Sequence, residues 1–433
     1  MSEYQSVTIG DVCDVGDGAH SKVERVSKGI PYLTSKNIKQ GALDTSKIDY
    51  ISEDDFVRLF TVRPGTVRCP EAGDVLMGII GTFGNFYQYK ESDRFGVSSA
   101  VAILRPRQEV ICPEYLGVVC SSSQFKSFHQ QVKSGSVQGY TNISTIKTLP
   151  ILLPPLPNQK VIAHILGTLD DKIELNRKTN ETLEAMAKAL FKSWFVDFDP
   201  VRAKAEGRPT GLPADISDLF PDSFEDSELG EIPSGWEVKA LDEIAHFLNG
   251  LALQKFPPED GAATLPVIKI AQLQKGESTG ADRCSTAVPS DYVVRDGDVL
   301  FSWSGSLAVD IWCGGDGALN QHLFKVTSKT YGKWFFYQWV NHHLPDFQEI
   351  AQGKATTMGH IQRHHLSEAK VLIPPPSLLA AMDSAFTALL DRAFGLRSQS
   401  KDLGSIRDAL LPKLISGELR IPDAEKMLEE VGV

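Results

Sequence analysis

Residues 153–198 read LPPLPNQKVIAHILGTLDDKIELNRKTNETLEAMAKALFKSWFVDF, and residues 373–416 read IPPPSLLAAMDSAFTALLDRAFGLRSQSKDLGSIRDALLPKLIS. Each opens on paired prolines, and the displacement between Pro154 and Pro374 is 374 − 154 = 220 residues. Behind the first pair, apolar or small residues fall at Ile162, Leu166, Leu169, Ile173, Leu183, Ala187, Leu190 and Trp194, and Asn176 and Asn180 fill the two gaps in a 4,3 rhythm. The same displacement lands on Met382, Phe386, Leu389, Ala393, Leu403, Arg407, Leu410 and Leu414, with Leu396 and Ser400 in the gaps. A sustained period near 3.5 residues makes a helix whose seam seeks a partner helix. Two such helices in one chain can partner each other, so the pattern predicts an antiparallel intramolecular coiled coil with pseudo-twofold character. Asn176 and Asn180 cost stability on that seam but fix its register, and Ser400 allows polar contact along it.

The repetition extends upstream of each helix. Gly73-Asp74-Val75-Leu76 is matched by Gly297-Asp298-Val299-Leu300, and Pro31-Tyr32-Leu33-Thr34-Ser35-Lys36 by Pro266-Val267-Ile268-Lys269-Ile270-Ala271. Gly135-Ser136-Val137-Gln138-Gly139 sits where Gly353-Lys354-Ala355-Thr356-Thr357 sits in the second half. Offsets here drift from 353 − 135 = 218 to 266 − 31 = 235, so these regions have accepted insertions while the helices have not. Short β-segments joined by Gly, Asn and Ser turns, with some helix near Tyr115 to Val132, read as mixed structure. The expected fold class is α+β: two similar mixed domains, 1–152 and 234–372, separated by long helices at 153–199 and 373–417. The first helix should run about 40 residues, roughly 60 Å, with Pro157 suited to its first turn. Gly207-Arg208-Pro209-Thr210-Gly211-Leu212-Pro213 marks 200–233 as an irregular linker, and 418–433 is a tail.

Composition excludes several classes. Of 433 residues, 42% are apolar and 23% charged, which is ordinary for a soluble protein. The longest apolar run, near Val75 to Phe86, is broken by glycines and too short to cross a bilayer; no secretory signal precedes it. Cys13, Cys69, Cys112, Cys120, Cys284 and Cys313 form no C-x-x-C pair, as in a cytoplasmic protein with reduced thiols and no zinc site. The net charge of −11 is awkward for gripping phosphates. Much of the acid is local, however: Asp215, Asp218, Asp222, Glu225, Asp226, Glu228 and Glu231 crowd the linker, and Glu425, Glu429 and Glu430 the tail. Lys22, Lys36, Lys39, Lys126 and Lys133, or Lys269, Lys325, Lys354 and Arg363, can still line one face of each domain.

Searches for catalytic motifs return nothing. The pairs Pro154-Pro155, Pro257-Pro258 and Pro374-Pro375 lack the Asp/Asn-Pro-Pro-aromatic setting that holds an amino group for methylation. Gly353-Lys354 has Gln348 where a phosphate loop needs glycine. Pro345-Asp346 with Glu349 lacks the nuclease lysine, because position 351 is Ala. His342, His343, His360, His364 and His365 cluster without a His-Glu-x-x-His spacing and read as surface or DNA-facing groups. A recognition protein fits better than an enzyme. The alternative is a coiled-coil scaffold joining two protein-binding heads without DNA specificity.

The run Leu153 to Lys160, then Leu169 to Asn176, then Leu190 to Pro200 resembles the central region of the DNA-specificity subunits of Type I restriction-modification systems. Gly73 to Leu76 and the closing Leu411-Pro412-Lys413-Leu414-Ile415-Ser416-Gly417-Glu418-Leu419 are similar to the same family. The second helix start departs from it, reading Ile373-Pro374-Pro375-Pro376-Ser377-Leu378. The resemblance implies that each head is a target-recognition domain and that the two bind the halves of a bipartite, asymmetric double-stranded DNA site. The helix pair then sets the spacer, since a displacement of about one DNA turn, roughly 34 Å, is within its reach. Two methyltransferase subunits would dock on the helices and bring S-adenosylmethionine and adenine-N6 methylation; restriction/translocase subunits would bring ATP and Mg. This chain would hold no cofactor and do no chemistry.

Base edges in the major groove are read by Gln, Asn, Ser, Thr, Lys and Arg. Loop context selects His20, Lys22, Ser35, Lys36, Asn37, Lys133, Ser136, Gln138, Tyr140 and Thr141 in the first head. In the second it selects Lys269, Gln272, Ser304, Ser306, Lys354, Thr356, Thr357 and His360.

Overall fold

The computed structural model describes residues 4–39, 41–63, 65–80, 85–131, 141–353 and 359–430. The chain forms two units, Met1–Glu174 with Lys401–Val433, and Leu175–Ser400, so the division falls inside both long helices.

The first unit contains β1 (Gln5–Thr8), α1 (Ile9–Val12), β2 (Cys13–Asp17), β3 (Ile30–Leu33), β4 (Asp49–Ile51), α2 (Glu53–Leu59), β5 (Val75–Gly78), β6 (Phe86–Gln88), β7 (Gly96–Val97), β8 (Val101–Pro106), α3 (Pro113–Ser121), α4 (Ser123–Gln131), α5 (Ile143–Lys147), β9 (Pro150–Leu153) and the start of α6 (Leu156–Phe191). An antiparallel sheet of order β2-β8-β5-β6 lies at its centre, beside a smaller sheet β4-β3-β7 and the pair β1–β9. The period of two along a strand sends Val75, Met77, Ala102 and Leu104 to one face, into a core shared with α3 and the long helices. Leu76, Ile103 and Tyr87 go to the other face and meet Leu33 and Val97 of the small sheet. Both faces are covered, so β5 and β8 read as unbroken apolar runs.

The second unit repeats this plan. After the α6 end it has α7 (Asp199–Ala205), α8 (Ala214–Ser217), β10 (Phe224–Ser227), β11 (Gly230–Pro233), β12 (Glu237–Ala240), α9 (Leu241–Ile244), β13 (His246–Asn249), β14 (Thr264–Ile268), α10 (Ile270–Lys275) and β15 (Arg283–Ser285). Then follow β16 (Val293–Val294), β17 (Val299–Ser302), β18 (Val309–Ile311), β19 (Gly317–Leu319), β20 (Leu323–Thr327), α11 (Lys333–Gly353), α12 (Arg363–Glu368), β21 (Lys370–Ile373) and α13 (Pro376–Ser416); α14 (Ile421–Glu430) belongs to the first unit. The order β13-β20-β17-β18 matches β2-β8-β5-β6, β15-β14-β19-β16 matches β4-β3-β7 with one strand more, and β12–β21 matches β1–β9. The Gly-Asp motif has the same job twice: Gly73 and Gly297 take φ of +92° and +89°, where glycine carries no Cβ penalty. The following Asp74 and Asp298 accept the N–H of Glu71 and Arg295, each at 2.8 Å, and close the turn into the central strand.

Each unit contains a stretch of the antiparallel helix pair. In the first, Ile162, Leu166 and Leu169 share a core with Leu403, Leu410 and Leu414, Ile173 packs at its margin, and Arg407 Nη1 donates to Asp170 at 2.6 Å. In the second, Asn176 Nδ2 donates to Gln399 Oε1 at 2.9 Å, and the Trp194 ring meets Phe386 edge-on at 5.8 Å. Position 176 meets 399 and position 194 meets 386, which is the antiparallel sense. Met382 and Leu396 are also buried, while Leu183 is half-buried and Leu190 packs against the second core.

Several details differ from the pattern. Leu390 is buried where the strict repeat selects Leu389, which is half-buried. Ser400 Oγ donates to Leu396 O of its own helix at 2.9 Å rather than crossing the seam. Asn180 Nδ2 bonds Glu184 at 2.6 Å, also within one helix. The first helix ends in a π-turn at Lys192–Val196, and Phe198 takes a left-handed φ of 56° while its buried ring lies 6.0 Å from Trp236. Residues 200–233, expected as an irregular linker, instead carry α7, α8 and the hairpin β10–β11. Phe220 and Ile232 anchor them in the second core. The tail likewise forms α14, whose Ala424 and Leu428 enter the first core. All six cysteines are free thiols, and among the described residues no helix is long and apolar enough to cross a membrane.

Gly395 and Gly404 sit inside α13 with open space where a Cβ would project. Gly395→Ala and Gly404→Ala should each stabilise the chain by about 0.5–1 kcal/mol, read as a higher urea midpoint at unchanged slope. His129 on α4 is fully buried, and that burial lowers its pKa to about 4. The unfolded chain then takes up a proton near pH 6.5 that the folded chain refuses, so stability is full above pH 6.5 and falls as pH drops. Between pH 7 and 5 the loss from this residue should be about 2 kcal/mol, and His129→Leu should remove that part of the pH dependence of urea unfolding.

Candidate nucleic-acid interface

In each unit four segments converge beyond the sheet ends, and glycine permits the approach. A Cβ on Gly18 would stand 2.0 Å from Val97 O, and one on Gly250 would stand 2.2 Å from Asn320 O. The neighbouring residues form parallel bridges, Ala19 with Ser98 and Leu251 with Asn320. Ile79 O accepts Thr141 N–H at 3.0 Å in the first unit, and Trp303 O accepts Ile361 N–H at 3.0 Å in the second. These pairs are displaced by 361 − 141 = 220 and 303 − 79 = 224, so the edge is built twice from equivalent backbone.

The second edge is rich in side chains of types that can hydrogen-bond base edges, with Ser304 and Asn320 among them buried. His322 is held on both ring nitrogens: Nδ1 lies 2.9 Å from Ser304 Oγ and Nε2 lies 3.3 Å from Gln321 Nε2. With the Gln321 amide donating to Nε2, the ring proton sits on Nδ1 and is donated to Ser304. Asn320 Oδ1 accepts the His322 backbone N–H at 3.3 Å. Trp303 Nε1 donates to Asn249 Oδ1 at 2.9 Å, and its ring lies 5.8 Å from His322 and 6.4 Å from His360. At the matching positions the first unit has Ser98, Ser99 and Ala100, with Ile79 and Ile80 in place of Trp303 and Ser304. Ile80 is exposed there, held by Ser35 Oγ donating to its carbonyl at 2.7 Å.

The residues selected from sequence divide by environment. His20, Lys22 and Lys36 are exposed, with His20 Nε2 2.8 Å from Asp17. Ser304 and His360 are brought together by a β-bridge, and Ser306 is exposed beside them. Thr141 is buried at the first edge, its Oγ1 without a hydrogen-bond partner. Asn37 and Gln272 are buried and serve their own turns. Asn37 Oδ1 accepts Thr34 N–H at 3.0 Å while its Nδ2 donates to Asp44 O and Lys47 O, and Gln272 Oε1 accepts Lys269 N–H at 3.3 Å. Lys269 is ion-paired with Asp282. Lys133, Ser136, Gln138, Tyr140, Lys354, Thr356 and Thr357 lie outside the described residues.

Other cations and histidines have internal duties. Lys325 is largely buried on Asp298 at 2.8 Å, and Arg363 lies over the Phe324 ring at 5.7 Å. His342 is exposed on α11, as expected of a surface group, while the neighbouring His343 is partly buried and its Nε2 donates to Lys370 O at 2.9 Å. His364, His365 and Glu368 bring possible metal-ligand atoms within 4.8 Å of one another, but His365 Nδ1 accepts Gln362 N–H at 3.0 Å. Its other nitrogen therefore carries the proton in the neutral ring, which disfavours a metal there. Asn249, Trp303, Gln321 and His322 were missed from sequence, although Asn320-Gln321-His322 places three base-reading residue types directly after a buried strand.

A family model described as the type I restriction modification DNA specificity domain matches residues 1–185 and 233–377. The chain is 25% identical over 415 residues to the HindI specificity subunit of Haemophilus influenzae, covering 80% of this chain and 86% of that protein. It is 26% identical to the MjaIX specificity subunit of Methanocaldococcus jannaschii, covering 96% and 93%. Its fold resembles the crystal structure of a type I restriction-modification S subunit from M. genitalium, with a TM-score of 0.57, 14% identity and coverage of 95% and 96%.

Gly250→Ala should drive a methyl group into the Asn320 carbonyl. Relief requires the 250–251 and 319–321 segments to separate, at a cost of about 1–3 kcal/mol. Chemical denaturation should show that loss, and equal stability would mean the approach is looser than the geometry gives.

Proposed function

The chain belongs to the type I restriction-modification DNA specificity family, and from that premise we propose that its two units read the two halves of a bipartite, asymmetric site on double-stranded DNA. The paired helices α6 and α13 set the unspecified gap between the half-sites. Two methyltransferase subunits dock on this chain and bring S-adenosylmethionine for adenine-N6 methylation; restriction/translocase subunits bring ATP and Mg. The chain itself positions DNA and contributes no reacting group, and it works in the cytoplasm, where that DNA is.

The observation that supports this reading is one backbone frame carrying two different surfaces. Asn320, Gln321 and His322 stand where the other unit has Ser98, Ser99 and Ala100. Gln321 is of the type that pairs bidentately with adenine in the major groove, while Asn320 is buried and braces His322, and serine makes shorter, less selective contacts. Two copies of one frame with unlike side chains suit two unlike half-sites. Lys22 and Lys36 supply phosphate contacts that fix position without reading sequence.

The test is co-expression with a type I methyltransferase subunit that forms a stable complex with this chain, followed by single-molecule mapping of methylated adenines in host DNA. A split motif with a fixed gap is expected. Gln321→Ala should relax one half of that motif only, with discrimination at the affected base falling about 10- to 100-fold. A stable wild-type complex that methylates without sequence preference would refute the reading and favour a scaffold joining two protein-binding heads.

A further inference from the structure

The second unit carries an open cleft of about 500 Å³ lined at its base by Phe195, Trp339 and Phe347. Glu231, Asp346 and Glu368 stand at its mouth, all exposed. Lys370 is the cation among the lining residues, and its Nζ already faces Glu228 at 3.6 Å. His342 and His343 complete the wall, and burial lowers the pKa of both, which leaves them neutral near pH 7. The mouth is therefore acidic over an aromatic floor. Trp339 contributes one more signal, because its indole N–H is buried without a hydrogen-bond partner.

The duplicated frame supplies an internal control. The first unit has a pocket of about 110 Å³ lined by Val119, Ser122, Pro150, Leu152 and Ile415. Trp339, His342, Lys370 and Leu372 lie 339 − 119, 342 − 122, 370 − 150 and 372 − 152 = 220 residues further on. Ile415 lies 415 − 195 = 220 beyond Phe195, because each long helix ends in a different unit. The pocket is the same place in the fold, yet no carboxylate lines the smaller one. The larger cavity gains a wall from Leu229, Glu231 and Ile232 around the β10–β11 hairpin. Whatever the shared frame does in both units, this cavity is an elaboration of one.

We propose that the cavity is a docking site for an arginine side chain of a partner polypeptide. A guanidinium is planar, stacks on aromatic faces and is weakly hydrated, so it suits an aromatic floor better than an ammonium does. Its five donors can engage several carboxylates at once, and the mouth offers Glu231, Asp346 and Glu368. The carbonyl of the arriving residue is an acceptor for which the Trp339 indole has use. The site is separate from base reading and does not rest on it.

The test titrates Nα-acetyl-arginine methylamide into the full chain by ligand-observed saturation-transfer NMR, beside its lysine and citrulline counterparts. Citrulline keeps the shape and loses the charge. The arginine probe should saturate, with citrulline about tenfold weaker and Glu231→Gln/Glu368→Gln weakening arginine about tenfold. Ser122→Ala, in the first unit's pocket, and His322→Ala, at the base-reading edge, should leave the affinity unchanged. Thermal midpoints within error of wild type would show that the carboxamide variant is folded. The assignment is overturned if the probe fails to saturate, if citrulline or lysine binds as tightly as arginine, or if the folded carboxamide variant binds normally.

Discussion

The antiparallel seam between α6 and α13 is the contact on which both units depend. Neither unit closes its core from its own sheets. Ile162, Leu166 and Leu169 with Leu403, Leu410 and Leu414 finish the first core, and Trp194 with Met382 and Phe386 finishes the second. A helix shared in this way cannot gain or lose a residue in one place without rotating its remaining apolar positions off the seam, at about 100° per residue. That is the physical reason the displacement stays at 220 along the helices while it drifts in the sheets. Insertions in a surface loop cost little; the same insertion in the seam would unseat two cores. Asn176 adds a polar requirement, which Gln399 meets across the seam, and a polar seam residue penalises slipped pairings.

Much of this frame was legible because it rests on periodicity. A 4,3 rhythm and a repeated Gly-Asp turn survive as strings, and even the 235-residue offset at Pro266 is met by strand register: Ile268 pairs Leu319 as Leu33 pairs Val97. What was not legible depends on contacts that composition hides. Residues 200–233 look like a linker because Pro, Gly and Asp dominate, yet Phe198, Phe220, Ile232 and Trp236 give that segment a buried anchor every few turns of chain. Asn37 and Gln272 have the side chains of base readers, and they occupy equivalent places in the repeat. Their equivalence was the available signal: a polar residue that recurs where the surfaces otherwise diverge serves the frame.

Charge needs similar care. A count of lysines and arginines treats every cation as free to meet phosphate, but Lys325, Arg105 and Arg397 are already committed to Asp298, Asp74 and Asp310 within their units. Breaking such pairs leaves a partly buried carboxylate uncompensated, so they are structural and unavailable to DNA. The net charge of −11 therefore overstates the cations left for phosphate, even though much of the acid lies in the 215–231 segment. A chain of this kind gains little from sequence-independent attraction, which scales with the phosphates neutralised.

The two edges show how one frame can carry two unlike surfaces. Gly18 and Gly250 let backbone meet backbone where no side chain fits, and strands buried on both faces hold the crossing segments in place. Beyond that crossing Asn320 is still buried and braces the His322 backbone, whereas Gln321 and His322 are only half-buried, so Ser99-Ala100 can become Gln321-His322 without moving the strand that delivers them. Rigidity below the crossing makes variation above it tolerable. The His322 ring shows the limit of that freedom: it needs Ser304 on one nitrogen and Gln321 on the other. A change at any one of the three alters the orientation of the others, so specificity at this edge should shift in coupled steps rather than one residue at a time.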